Sequence, residues 1–239
     1  MSNIVKHVDL ATADLFVGAI YEGQQGGQLS GEPLSKLLPG IGNLGGFRPS
    51  GKGDNKKFVV LCTSGEEKEW PDWLNMKTGQ FFYFGDNRKP GVELHDTPRG
   101  GNRILRQAFE LIHAVPHQRE SVFPFFVFQR HATQVSSRSY QFKGLAVPGG
   151  DDLPETMDLV AFWKTIDGQR FLNYRAVFTI LDAPRISRAW LDDLRAGNVP
   201  SGHAPLAWRE WVETGKYRPL SVQRTDIRQP SKRNITVSL

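Results

Sequence analysis

One cysteine, Cys62, stands in 239 residues. It has no partner for an internal disulfide and no second thiolate for zinc, so neither a stapled secreted scaffold nor a cysteine zinc finger is available. Long apolar runs are missing too. No window approaches the roughly 18 to 20 residues of a spanning helix, and no signal-peptide core follows Met1 to Lys6. The expectation is a soluble, cytoplasmic protein without a membrane partner. Disorder as the dominant state is excluded by 39% hydrophobic and 11% aromatic content, enough to core one domain or one and a half.

Catalytic patterns are equally scarce. A metal-dependent nuclease needs an acidic residue and then an acid-x-Lys pair, because two carboxylates hold the metal and the lysine steadies the attacked phosphate. Pro71-Asp72 offers a start, but no acid-x-Lys follows it. The six histidines are scattered, and Pro116 separates His113 from His117, the two with metal-ligand spacing. No Gly-x-Gly element follows a strand and opens a helix with dinucleotide or P-loop spacing. Cys62 lies in Val59-Val60-Leu61-Cys62, where it reads as a small buried hydrophobe. No catalytic residue, metal or cofactor is expected.

The charge is unevenly placed. The formal net charge is +5, and Lys216, Arg218, Arg224, Arg228, Lys232 and Arg233 stand against Asp226 alone in the last segment. The body is therefore formally neutral, and the high pI reflects a basic tail.

Short apolar runs recur through the middle: Leu15 to Ile20, Phe58 to Cys62, Phe81 to Phe84, Phe123 to Phe128, Tyr140 to Val147, Leu159 to Lys164 and Phe171 to Leu181. Their length and their Val, Phe, Tyr and Ile content predict strands, and Asp167-Gly168 predicts a hairpin between the last two. Helical periodicity covers Asn102 to Ala114, Ser187 to Ala196 and Pro205 to Thr214. The fold class is α+β, rich in strands. Long glycine-rich loops at Gly23 to Gly31, Gly40 to Gly53 and Gly85 to Gly101 are where binding is expected.

One aromatic strand ends in a polar turn, Phe81-Phe82-Tyr83-Phe84-Gly85-Asp86-Asn87-Arg88-Lys89. A ring that stacks, an Asp or Asn that reads a donor and acceptor edge, and flanking cations suit a flipped nucleobase. Tyr83, Asp86 and Asn87 are the candidates, with Tyr21 or Trp163 as other rings. Phosphate contacts are expected from Arg48 and Lys52, from Arg88 and Lys89, and from Arg99 and Arg103 at a glycine-flanked helix start.

The order of motifs carries a resemblance. Ala19-Ile20-Tyr21-Glu22-Gly23, Glu32-Pro33-Leu34-Ser35-Lys36, Gly42-Asn43-Leu44-Gly45-Gly46-Phe47-Arg48, Tyr83 to Gly91, His95 to Arg103, Phe142 to Gly149, Asn173 to Thr179 and Trp211 to Tyr217 together resemble the N-terminal recognition domain of AspBHI-type modification-dependent restriction endonucleases. The resemblance implies an SRA-like (PUA-like) curved β-sheet or barrel with flanking helices. It implies binding of double-stranded DNA carrying 5-methylcytosine, by base flipping, in a bacterial or archaeal cell. Residues 1–220 would be the recognition domain, and residues 221–239 a basic tail or the start of a linker to a nuclease domain, whether C-terminal or separate. A homo-oligomer stays open, as do another mark such as 5-hydroxymethylcytosine or phosphorothioate, and a nuclease with an unrecognised site.

Overall fold

The structure, a computed structural model, describes residues 3–53, 55–151 and 153–220; the expected tail or linker, 221–239, lies outside them. In chain order the described elements are β1 (Ile4–Val5), β2 (Leu15–Phe16), β3 (Ile20–Tyr21), α1 (Pro33–Leu37), β4 (Phe47–Lys52), β5 (Asn55–Thr63), β6 (Trp73–Leu74), β7 (Gln80–Phe84), α2 (Gly101–His113), β8 (Phe125–Arg130), β9 (Tyr140–Pro148), α3 (Glu155–Asp158), β10 (Leu159–Ile166), β11 (Gln169–Ile180), β12 (Arg185–Ile186), α4 (Arg188–Ala196) and α5 (Leu206–Thr214). The α+β class holds, with one large sheet and few helices.

The sheet runs β4-β5-β8-β9-β11-β7-β6, with β10 added to β11 and β3 to β9. Most neighbours are antiparallel, but β5 and β8 are parallel, Val59 opposite Phe125 and Thr63 opposite Gln129. These two strands are apolar runs without alternation, as expected where both faces of a sheet are covered. Phe125 points to one face and meets Phe178 at 4.9 Å, and Phe109 of α2 closes on the same ring at 5.5 Å. Phe126 points to the other face, where Trp190 of α4 packs edge-on at 6.0 Å.

Local chemistry sets both ends of α4. Ser187 caps α4 by accepting the Trp190 N–H, and Gly197 ends it at φ 81°. Asp167 and Gly168 turn between β10 and β11 with φ of 49° and 74°, the left-handed pair a two-residue hairpin needs.

Two expectations change, and one helix is added. Leu15 to Ile20 is two short strands rather than one, because Gly18 at φ 83° turns the chain between β2 and β3. Gly40 to Gly53 is nearly half strand, since β4 pairs with β5 despite Pro49 and Gly51. The motif at Glu32 starts a helix, α1, with the Glu32 carboxylate accepting the Ser35 N–H and Pro33 in the first turn. No described helix is long and apolar enough to cross a membrane.

Candidate nucleic-acid interface

Because β5 and β8 are parallel, their C-terminal ends open on one edge of the sheet. The antiparallel neighbours β4 and β9 begin at that edge, Phe47 opposite Leu61 and Tyr140 opposite Arg130. A cleft of about 440 Å³ sits there. Cys62, Thr63, Phe47 and Tyr140 form its inner wall, Asp72 and Glu67 one side, and Arg88, Arg99, Arg130 and Arg138 its cationic surround.

Arg48 holds the floor. Its guanidinium is 3% exposed, donates to Glu32 Oε1, to Tyr140 Oη at 3.0 Å and to the Gly45 carbonyl at 3.0 Å. One buried cation thus ties α1, the Gly42 to Gly46 loop and β9 into one unit. The Cys62 thiol beside it is half-buried in the cleft wall, and desolvation there pushes it up to about 12, so it is a neutral wall and not a nucleophile.

Asp72 is the carboxylate set into this wall. One oxygen accepts the Phe84 N–H at 2.9 Å. Burial pushes its carboxyl up to about 6, against the pull of that hydrogen bond, the Thr63 hydroxyl and the nearby Arg88. Trp70 and Trp73 bracket the segment: Trp70 is buried against Phe84 and Phe162, and Trp73 lies flat on Phe82 at 4.6 Å.

The expected site residues are placed as follows. Asp86 lines the cleft, but three donors occupy its oxygens: the Thr97 hydroxyl at 2.8 Å, Gly101 N–H at 2.8 Å and Asn102 N–H at 2.9 Å. It caps α2 from outside the helix, and a Cβ on Gly101 would lie 2.6 Å from its carboxyl carbon. Tyr83 is fully buried behind the cleft, edge-on to Phe47, with its hydroxyl donating to the Cys62 carbonyl. Asn87 is buried and donates to the Val92 and Leu172 carbonyls. Tyr21 is buried too, its hydroxyl bonded to Asp14 and Phe16. Trp163 stands half exposed on β10 with Arg170 over its ring, outside the cleft lining.

Of the expected phosphate contacts, Arg48, Arg88 and Arg99 line the cleft, and Arg88 pairs with Glu67. Lys52, Lys89 and Arg103 are exposed outside the lining. Sequence reasoning missed Asp72, Arg130, Arg138 and Tyr140. For Asp72 a signal existed in Trp70-Pro71-Asp72-Trp73, where a short acid is framed by two large rings; Arg130 and Tyr140 come to the cleft through strand pairing, and Arg138 through the turn that joins their strands.

The chain matches the family described as restriction endonuclease AspBHI N-terminal over residues 15–223. The chain belongs to that family. It is 45% identical to the DNA recognition domain of the cytosine modification-dependent restriction endonuclease LpnPI, over 95% of this chain and 99% of that one, with a TM-score of 0.88. It is 46% identical to the DNA modification-dependent restriction endonuclease AspBHI, TM-score 0.86, covering 93% of this chain and 56% of that one. The MspJI restriction endonuclease in complex with a 27-mer oligonucleotide shares the fold, with a TM-score of 0.64 at 20% identity, over 94% of this chain and 59% of that one. No protein of curated function matches the sequence. Every cleft residue named above lies within the span that matches this AspBHI N-terminal family.

Proposed function

We propose that this chain is the reader of a modification-dependent restriction system: it binds double-stranded DNA containing 5-methylcytosine and takes the modified base, flipped out of the helix, into the cleft at the C-terminal ends of β5 and β8. The observation that carries the reading is Asp72. A carboxylate held by a backbone N–H inside a wall of Phe47, Cys62 and Tyr140 offers an acceptor for the cytosine N4 amino group beside an apolar surface for a ring and its methyl. Arg88, Arg99, Arg130 and Arg138 at its edge supply the phosphate contacts that position a duplex without reading it.

Residues 1–220 then form the recognition unit, and residues 221–239 a basic extension that adds sequence-independent affinity. Cleavage belongs to a nuclease domain, in the same polypeptide or a partner. The family context supports this, since the chain spans 56% of AspBHI. Self-association of the reader through this unit is compatible with the same role.

The test is fluorescence anisotropy on duplexes of one sequence carrying cytosine, 5-methylcytosine or 5-hydroxymethylcytosine at one position, or a phosphorothioate link. Tightest binding to the 5-methylcytosine duplex supports the reading. Equal affinity for all four overturns it, and magnesium-dependent nicking of modified plasmid by the purified chain overturns the assignment of cleavage elsewhere.

A further inference from the structure

A reader that takes a base out of the stack leaves a gap and an orphaned partner base, and unstacking costs a few kcal/mol unless something fills the space. The structure carries an unexplained apolar side chain at the right place. Leu44 is 47% exposed, lines the cleft, and stands between Asn43 and Gly45 in a loop whose other neighbours are Gly42 and Gly46. Exposure of one leucine is ordinary in itself; what sets Leu44 apart from the chain's other exposed apolar side chains is that it lines the cleft among the arginines that surround it.

The loop is held rather than loose. The Arg99 guanidinium donates to the Leu44 carbonyl, and the Arg48 guanidinium to the Gly45 carbonyl at 3.0 Å. Gly45 is what allows the first contact: its φ is +95°, and a Cβ there would lie 2.1 Å from Arg99 Nη1. Gly46 allows the loop to seat on the core, since a Cβ there would lie 2.6 Å from the Tyr83 hydroxyl. Two arginines and a buried tyrosine therefore fix the backbone beneath Leu44, while the missing side chains at 42, 45 and 46 leave it as the single large apolar projection of the loop.

We propose that Leu44 is the wedge of this reader, entering the base stack where the modified cytosine leaves and keeping the helix open while that base occupies the cleft beside Asp72. Leu44 is in this sense a positioning residue. Arg99 couples the two events, because it holds the wedge backbone and lines the cleft that receives the base. The inference rests on the base-flipping reading and goes beyond it by naming what maintains the flipped state.

The experiment uses the full chain and two duplexes with 5-methylcytosine. In one, 2-aminopurine neighbours the modified base and brightens when stacking is lost. In the other the modified base faces an abasic site, so no pairing resists extrusion. Wild type is expected to raise 2-aminopurine fluorescence; if it does not, base flipping itself fails and the wedge with it. Leu44→Ala, checked by a thermal melt matching wild type, is expected to lose about fivefold or more of that signal and of affinity for the paired duplex. It should bind the abasic duplex within about twofold of wild type, and Leu44→Met should restore the fluorescence. A wild-type signal that survives in Leu44→Ala overturns the proposal. So does an equal loss of affinity on both duplexes, which would make Leu44 an ordinary contact surface.

Discussion

The two ends of the parallel pair β5 and β8 differ in how their charged groups are held. At the N-terminal ends, roughly 20 Å from Cys62 at the rise of an extended strand, the strands meet α4 and α5 in a groove of about 530 Å³ walled by Phe123, Trp190, Leu194 and Trp208. At the C-terminal ends the cleft is smaller, yet it holds a carboxylate pushed up to about 6, a buried arginine with three acceptor atoms around it, and four more arginines at its edge. Apolar volume can be left wherever large rings pack imperfectly. Buried charge cannot persist without dedicated partners, and those partners are what sculpt a recognising surface.

The largest effect should come from the buried pair. Arg48→Met leaves the Glu32 carboxylate, 1% exposed, without its cation, and urea unfolding should show a loss of about 3–5 kcal/mol. The double variant Arg48→Met with Glu32→Gln should recover part of it. If the single variant is as stable as wild type, the cleft floor is not the fixed unit described.

Next comes Asp86→Ala, which removes three hydrogen bonds at the start of α2 and should cost about 1–2 kcal/mol in a thermal melt. Loss of binding without loss of stability would return Asp86 to the role of base reader.

A difference of comparable size, but pH-dependent, belongs to Asp72. Its carboxyl sits near 6 in the folded chain against an ordinary 3.8, so the folded state carries a penalty for ionising it. That penalty is fully present above pH about 6 and disappears as pH falls toward 3.8. The stability of Asp72→Asn relative to wild type should therefore shift in the variant's favour as pH rises through this window, measured by denaturation at several pH values. A difference constant with pH would mean an Asp72 that titrates normally.

The smallest effect is expected at the other end. Val199→Asp places a charge on the rim of the apolar groove, at a residue 63% exposed. It should change modified-DNA affinity by less than about 0.5 kcal/mol. A larger change would make the groove part of the DNA interface and erase the contrast between the two ends.

Much of this was legible beforehand because it is local. The all-apolar run at Phe125 to Phe128, the amphipathic α2 and the Asp167-Gly168 turn each announce themselves within a few residues. The cleft was legible only in part, because pairing assembles it. Arg130 and Tyr140 belong to adjacent strands whose register the sequence does not display. Asp86 and Tyr83 possess the chemistry that a base pocket needs, but the tertiary structure spends one on a helix terminus and the other on the core. Asp72 was noticed only as half of a nuclease pattern; its value depends on the Phe84 N–H and the Thr63 hydroxyl, which come from other strands.

The central claim is that Asp72 reads the modified base, and the direct measurement is the ratio of dissociation constants for a 5-methylcytosine duplex and its unmodified counterpart, taken for wild type and Asp72→Asn. The account predicts that the variant stays folded and that the modified duplex loses about 1–3 kcal/mol of affinity while the plain duplex changes little, so the ratio collapses toward one. A folded Asp72→Asn protein with wild-type discrimination would contradict it.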